Sequence, residues 1–140
     1  MQKARRAARE LALNLAYQID VAGFPLEEAV KTARENANVE PESFECAEII
    51  IRGVSEHREE IDADIERLSQ DWTLDRQPAV DRNILRMAMF EMSRVEATPN
   101  VVVVNEAVEL AKKFSTPESG KFVNGVLAAY MREREKSPES

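Results

Sequence analysis

The sequence predicts an all-α fold for three reasons. The 140 residues include only 4 glycines, and a hydrophobic content of 44% with 32% charged residues suits a globular protein rich in helix-forming side chains. Apolar residues recur three and four positions apart, which is the spacing of a buried helix face. Prolines stand where several helices would begin, as at Pro41, Pro99 and Pro117. At this length we expect one domain with a sizeable core.

The first helix is predicted from near Lys3 to Val21, before Gly23, whose flexibility suits a helix end. One side of this helix is apolar, and another side carries a basic cluster with Tyr17 at its edge. The cluster consists of Arg5, Arg6 and Arg9. Such a cluster can simply be solvated, or it can bind phosphates while Tyr17 stacks a base, as recognition of single-stranded RNA requires. The residues alone leave both interpretations open.

Three shorter helices are predicted between residues 25 and 68. The second begins at Pro25 and fades near residues 36–38, and the third begins at Pro41, with Gly53 marking an end or a kink near Ser55. The fourth is indicated by apolar residues at positions 61, 65 and 68. Its outer face carries Glu59, Glu60, Asp62, Asp64 and Glu66. Because these positions spread around the solvent side, a solvated face is favoured over a metal or acid–base site.

The fifth helix is predicted over residues 78–95, after a loop at residues 71–77. Its apolar positions cover more than half of the helix circumference, so we expect it at the centre of the core. Phe90 is interpreted as a contact with a neighbouring helix. Glu91 falls on the apolar side, where an unpaired carboxylate would be costly. We therefore expect Glu91 to accept hydrogen bonds from a helix N-terminus or from a basic side chain.

The sixth and seventh helices are marked by two similar start signals. Thr98-Pro99 and Thr116-Pro117 each place an N-cap residue before a proline that suits a first helical turn. The valines at 101–104 would favour a strand if taken alone, but the flanking helix signals overrule that preference. The domain is predicted to span residues 1–136, with residues 137–140 as a disordered tail.

Charge is distributed unevenly along the chain. The formal net charge is −7, yet residues 1–9 carry four cations and no acid, whereas residues 20–66 carry fourteen acids against four cations. Screening over about 8–10 Å at physiological salt allows the two regions to act separately. The negative net charge therefore does not exclude a nucleic-acid partner.

The sequence offers little for catalysis or for a membrane. Cys46 and His57 are the single cysteine and the single histidine, and no catalytic residue, metal site or cofactor is predicted. No apolar run approaches the roughly 20 residues of a membrane span, and the N-terminus lacks the apolar core of a signal peptide. We expect a cytoplasmic protein that is not an enzyme and has no membrane partner.

Four segments of the chain resemble the NusB family of bacterial transcription antitermination factors. The strongest are residues 105–112, NEAVELAK, and residues 121–127, KFVNGVL. Residues 5–18 and 81–93 resemble the first and fifth helices of that family, in the expected order. The resemblance spans nearly the whole chain, although residues 22–70 carry little of it.

The resemblance implies a seven-helix, all-α fold made of two small helical bundles packed as one domain. It also implies binding to the box A element of nascent ribosomal RNA transcripts together with NusE, a small-subunit ribosomal protein. The complex, with RNA polymerase and other Nus factors, would help the polymerase read through terminators. The implied RNA contacts are Lys3, Arg5, Arg6, Arg9, Tyr17, Arg86, Lys121 and Phe122. The implied protein-partner contacts are Asp75 and Asp81.

Two residues of the last helix can have a structural role instead of an RNA-binding role. Phe122 can stack a base beside the cation of Lys121, or it can belong to the core, since an aromatic residue at helical spacing is more often buried. Gly125, in the Asn124-Gly125 pair, is interpreted as a site of close helix packing.

Two other functions and the oligomeric state remain open at this point. The chain can be a helical adaptor that binds only proteins, or a detached RNA-binding domain related to ribosomal RNA cytosine methyltransferases. The second alternative is weakened by the absence of a glycine-rich loop after a strand. A homodimer that covers the arginine face until a partner arrives is a further alternative.

Overall fold

The computed structural model describes residues 2–36, 38–70, 72–95 and 98–136, without the side chains of residues 2–4 and 136. Within this part of the chain there are seven α-helices, one 3-10 turn and no strand, so the predicted all-α fold is confirmed. The helices are α1 (Gln2–Asp20), α2 (Leu26–Asn36), α3 (Pro41–Glu56), α4 (Arg58–Leu68), α5 (Ala79–Arg94), α6 (Asn100–Phe114) and α7 (Pro117–Lys136). The 3-10 turn, Leu74–Arg76, lies in the predicted loop. The predicted tail at 137–140 lies outside the described residues.

Helix α5 occupies the centre of the fold, as its broad apolar surface predicts. It packs against α1, α3, α4, α6 and α7, and the side chains of Leu85, Met87 and Met89 are almost completely buried. On one side of α5, α1 packs with α2 and α3; on the other, α6 and α7 pack along each other. These two groups of helices form two small bundles that share α5, with α4 contacting α3, α5 and α7.

Helix α3 ends at Glu56, close to the predicted end near Ser55, and Gly53 lies in its last turn. The helix continues through this glycine to Glu56, and Gly53 is buried. A Cβ atom at Gly53 would overlap the ring of Phe90, which is itself buried on α5. The glycine is therefore explained by close packing of α3 on α5, and the interpretation of Phe90 as a contact between helices is confirmed.

The two start signals before α6 and α7 behave differently. The Ser119 N–H donates a hydrogen bond to Thr116 Oγ1 over 3.0 Å, so Thr116 caps α7 as predicted. The prediction for Thr98 is wrong, because α6 begins at Asn100 after Pro99 and has no side-chain cap. Thr98 Oγ1 instead accepts a hydrogen bond from Arg5 Nη1.

The acidic face of α4 is only partly solvated. Glu59 is exposed, but Asp62 accepts hydrogen bonds from Arg58 at 3.1 Å and from Arg86 at 2.8 Å. Glu60 likewise pairs with Arg94 of α5 at 2.8 Å. The acids of α4 thus help to hold α4 against α5. None of the described helices is both long and apolar enough to cross a membrane.

Candidate nucleic-acid interface

The three arginines of the predicted basic cluster lie in different environments. Arg6 leaves 63% of its side chain exposed and forms a two-pronged ion pair with Glu106 of α6, with Nε 3.0 Å from Oε1. The hydrogen bond and the charge of Glu106 raise the pKa of Arg6. Arg5 is half-buried and is held by Thr98. The backbone of Lys3 belongs to α1, but the side chain lies outside the described residues.

Arg9 is a structural residue and not an exposed phosphate contact. Its side chain is 6% exposed and pairs with the equally buried Glu91 of α5, with Nη2 2.8 Å from Oε1 and Nε 3.0 Å from Oε2. Burial disfavours the charged form, but the hydrogen bonds and charge of Glu91 outweigh burial and raise the pKa of Arg9. The expectation that Glu91 accepts hydrogen bonds from a basic side chain is confirmed. A phosphate could reach Arg9 only by breaking this pair.

A groove of about 390 Å³ lies between α1 and α6 and is lined mainly by charged side chains. Arg6 and Glu106 line it, together with Lys113, which pairs with Glu10 at 2.8 Å. Each of these exposed cations faces a carboxylate, so a phosphate group would exchange places with a carboxylate. Sequence reasoning did not select Lys113. The available signal was a pair of lysines, Lys112 and Lys113, in the last turn of α6.

Tyr17 is exposed, as the predicted stacking role requires. It lines a second, mainly apolar groove of about 620 Å³ together with Leu11, Val80 and Phe114. Phe114, at the end of α6, is also exposed and was not selected from the sequence. The structure therefore supplies two exposed aromatic rings at this edge of α1.

Arg86 and Asp81, both predicted from the family resemblance, are buried on α5. Arg86 leaves 4% of its side chain exposed and pairs with Asp62 at 2.8 Å and with Asp20 at 3.1 Å. These ion pairs use the guanidinium of Arg86 to join α5 to α1 and α4, so a direct RNA contact is not supported. Asp81 is 1% exposed, and its Oδ1 atom has no hydrogen-bond partner among the described residues. A protein partner cannot touch Asp81 unless the start of α5 is uncovered.

Asp20, at the end of α1, is the acceptor at the centre of this buried network. It accepts hydrogen bonds from Arg82 at 2.8 Å and from Asn83 at 2.9 Å, and Arg58 lies 3.5 Å away. Burial alone would raise the pKa of Asp20, but the donors and the charge of Arg86 outweigh burial and lower the pKa to about 2. Sequence reasoning missed Asp20 because its donors lie more than sixty residues away along the chain.

The remaining predicted contacts lie on or near α7 and the 3-10 turn. Lys121 leaves 80% of its side chain exposed, with Glu118 4.0 Å away. Phe122 is half-buried, and its ring lies 5.2 Å from the ring of Trp72. Asp75 is exposed and accepts a hydrogen bond from Thr73 over 2.6 Å, which lowers the pKa of Asp75.

The packing interpretation of Gly125 is wrong. This residue is exposed on α7, and an added Cβ atom would meet no described atom within 4 Å. Nothing in the described part of the chain approaches Gly125 closely.

The structure thus divides the predicted contacts by accessibility. The exposed residues are Arg6, Tyr17, Lys121 and Asp75; the half-buried residues are Arg5 and Phe122; the buried residues are Arg9, Arg86 and Asp81. The exposed and half-buried residues form the candidate interface, with Lys113 and Trp72 added by the structure.

Comparisons with known proteins agree with this architecture. The sequence profile of the NusB family matches residues 6–132. The transcription antitermination protein NusB of Anaeromyxobacter dehalogenans (strain 2CP-1 / ATCC BAA-258) is 47% identical over 128 residues, which cover 91% of this chain and 89% of that protein. T. maritima NusB, a solved structure, is 34% identical with a TM-score of 0.85, covering 92% of this chain and 91% of its own.

A second solved structure adds a functional setting. It contains the antitermination factors NusB and NusE in complex with dsRNA, and its matching chain is 32% identical to this one. The TM-score is 0.83, and the match covers 92% of this chain and 96% of the other. The family is one of antitermination factors and not of enzymes, which disfavours the methyltransferase-domain alternative. The chain belongs to the NusB family of transcription antitermination proteins.

Proposed function

We propose that this chain binds box A RNA of nascent ribosomal RNA transcripts together with NusE. It does so in the cytoplasm, within a complex of RNA polymerase and other Nus factors, and thereby helps the polymerase read through terminators. The observation that carries the proposal is the similarity, over 92% of the chain, to a NusB solved with NusE and dsRNA. The exposed cations and rings of the candidate interface are the residue types that such a function needs.

The groove between α1 and α6 is the proposed phosphate-binding part of the interface. Arg6 and Lys113 are mostly exposed, and each is paired with a carboxylate across the groove. Exposed ion pairs of this kind contribute only about 0–1 kcal/mol, so replacing a carboxylate with a phosphate costs little. The guanidinium of Arg6 can then bind phosphate oxygens with the same two-pronged geometry that it shows toward Glu106.

NusE is proposed to meet the acidic part of the molecule. Residues 20–66 carry fourteen acids against four cations, and Asp75 is exposed nearby in sequence. Such a surface complements a basic ribosomal protein, and complementary charge accelerates association and orients the partner.

The proposal is tested by fluorescence anisotropy of labelled box A RNA, with and without NusE, against a scrambled RNA at two salt concentrations. We expect selective binding that NusE strengthens and that added salt weakens, because phosphate contacts release counterions. Equal affinity for both RNAs and no effect of NusE would instead identify a helical protein adaptor.

Arg6→Ala and Lys113→Ala examine the groove directly. Each is expected to weaken binding of both RNAs and to reduce the salt dependence by about one phosphate contact. Lys31→Ala is the matched control, because Lys31 is an exposed cation on α2, away from the groove. Unchanged RNA binding in both groove variants would remove this groove from the interface. Sedimentation of the same protein shows whether it forms a homodimer. If that homodimer covers the groove, the RNA affinity measured by anisotropy should fall as the protein concentration rises.

A further inference from the structure

Trp72 is the least expected exposed residue of the described structure. It leaves 45% of its surface exposed, although tryptophan is among the most strongly buried side chains on average. Its backbone is nevertheless held firmly in place. The Trp72 N–H donates to the Ser69 carbonyl over 3.2 Å, and the Trp72 carbonyl accepts from Nε2 of the buried Gln77 over 3.2 Å. These two hydrogen bonds anchor the backbone of Trp72 to Ser69 and to Gln77.

The ring of Trp72 packs against Phe122 of α7. The ring centroids are 5.2 Å apart and the planes are inclined by 53°. Phe122 is half-buried and gives part of its surface to this contact, so Trp72 is the more exposed ring of the pair. This arrangement makes Phe122 a support for Trp72. An exposed, supported ring can receive an unstacked base.

The face of α7 beside this ring pair is open. At about 100° per residue, Lys121, Phe122 and Gly125 project from the same side of the helix. Lys121 is a mostly exposed cation, and Gly125 has no atom within 4 Å of the place where a Cβ would lie. Glycine inside an exposed helix is unfavourable compared with alanine, and nothing among the described residues requires it here. Close approach of an external group would explain it.

We propose that Trp72 and this face of α7 form a stacking site for a base of single-stranded RNA. Trp72 supplies the ring, Phe122 positions it, Lys121 attracts the adjacent phosphate, and Gly125 leaves room for the nucleotide backbone to approach α7. The occupant is an RNA strand and not an apolar protein segment, because the ring pair lies beside an exposed cation and an open glycine. Glu118, 4.0 Å from Lys121, opposes the phosphate and limits the affinity of the site. The inference rests on the proposed function and assigns residues to it.

The chain contains one tryptophan, so its fluorescence reports on this site alone. Titration with box A RNA in the presence of NusE is expected to quench the tryptophan emission as the base stacks. Trp72→Phe in the same mixture gives the background from NusE. Trp72→Ala is expected to weaken RNA binding roughly five- to a hundredfold in the anisotropy assay, whereas Trp72→Phe keeps most of the affinity.

Gly125→Ala provides an independent test, because it should increase the stability of the protein and decrease its affinity for RNA. Added helix propensity is expected to raise the unfolding midpoint, while the new methyl group weakens RNA binding several-fold. Val101→Ala is the control, because it also adds helix propensity at an exposed position, on α6, and should leave RNA binding unchanged.

The outcomes separate this inference from the function on which it rests. If the unaltered chain does not bind box A RNA, the proposed function fails and the stacking site fails with it. If the chain binds box A RNA but its emission does not change, and Trp72→Ala binds equally well, only the stacking site is overturned. Unchanged RNA binding by Gly125→Ala would overturn the role of Gly125. Quenching by double-stranded RNA as strong as that by box A RNA would likewise contradict a single-strand site.

Discussion

Arg6 and Arg9 show how residues of one type, three positions apart on one helix, acquire different roles. Arg6 points to the edge of α6 and remains in water, whereas Arg9 is covered by α5 and paired with Glu91. The helical wheel groups both with Arg5, because it shows direction around α1 but not the depth of the neighbouring helices. Burial therefore separates a candidate RNA contact from a residue that holds α1 against α5.

Arg9→Ala is expected to destabilise the protein by about 3 kcal/mol, because it leaves the carboxylate of Glu91 buried without a partner. Urea denaturation followed by circular dichroism measures the loss. Arg6→Ala is the comparison and should leave the stability nearly unchanged, since its ion pair is exposed. If Arg9→Ala kept full stability and lost RNA binding, Arg9 would return to the set of direct RNA contacts.

Asp20 makes the folding stability of the protein depend on pH in the acid range. Its folded pKa of about 2 lies below the usual 3.8, so the folded state binds fewer protons than the unfolded state between these values. The stabilisation from Asp20 is therefore complete above about pH 5 and is lost as the pH falls toward about 2. The groups facing this carboxylate are Arg58 of α4 and Arg82, Asn83 and Arg86 of α5.

Asp20→Asn is expected to lower the free energy of unfolding by about 2 kcal/mol at neutral pH and to flatten its decline in acid. Urea denaturation at a series of pH values from 7 down to about 2.5 measures both effects. Glu59→Gln is the matched control, because Glu59 is an exposed acid on α4. An acid response of Asp20→Asn identical to that of the unaltered chain would contradict the assigned role of Asp20.

At the scale of elements, the crossing of α3 and α5 depends on the absence of a side chain. Gly53 allows the ring of Phe90 to lie directly against the α3 backbone. A glycine inside a helix lowers its local stability, but the buried ring provides a packing reason for it. The exposed Gly125 of α7 has no such reason among the described residues. Packing within the protein therefore explains Gly53 but not Gly125.

Gly53→Ala is expected to destabilise the protein by about 2 kcal/mol, because the new methyl group would overlap the Phe90 ring in a filled core. Thermal unfolding measures the loss. The double variant Gly53→Ala with Phe90→Leu should lose less stability than the sum of the two single variants, since a smaller side chain makes room for the methyl group. Simple additivity of the two losses would argue against this contact as the cause.

For the whole molecule, α5 determines how the two small bundles are joined. It contacts five other helices, and the ion pairs of Asp20, Asp62 and Glu91 all connect it to neighbouring helices. Neither bundle can lose α5 without exposing core residues. We expect the domain predicted over residues 1–136 to unfold as one cooperative unit.

This cooperativity is tested by following urea denaturation with two signals. Circular dichroism reports on all helices, while Trp72 fluorescence reports on the segment between α4 and α5 and on its contact with Phe122 of α7. The two curves should share one midpoint. Separate midpoints, with the α6–α7 pair melting first, would show that the bundles unfold independently.

Local signals in the sequence were enough to predict the helices, their order and the family. Apolar spacing and proline positions are local signals, so they predicted seven helices and the central place of α5 without any knowledge of packing. The same reasoning predicted that Glu91 needs a donor, because an unpaired carboxylate on an apolar face is costly in any fold. It could not name that donor, since Arg9 lies 82 positions away in the chain.

Which charged and aromatic residues reach water depends on the packing of the helices and was not predicted. Arg9, Arg86 and Asp81 were buried by helices distant in sequence, while Lys113 and Trp72 were brought to the candidate interface by the same packing. Residue type and helical spacing specify the side of a helix on which a group stands. Whether that side meets solvent or another helix depends on contacts across the whole chain, and the candidate interface consists of residues that those contacts leave at least partly uncovered.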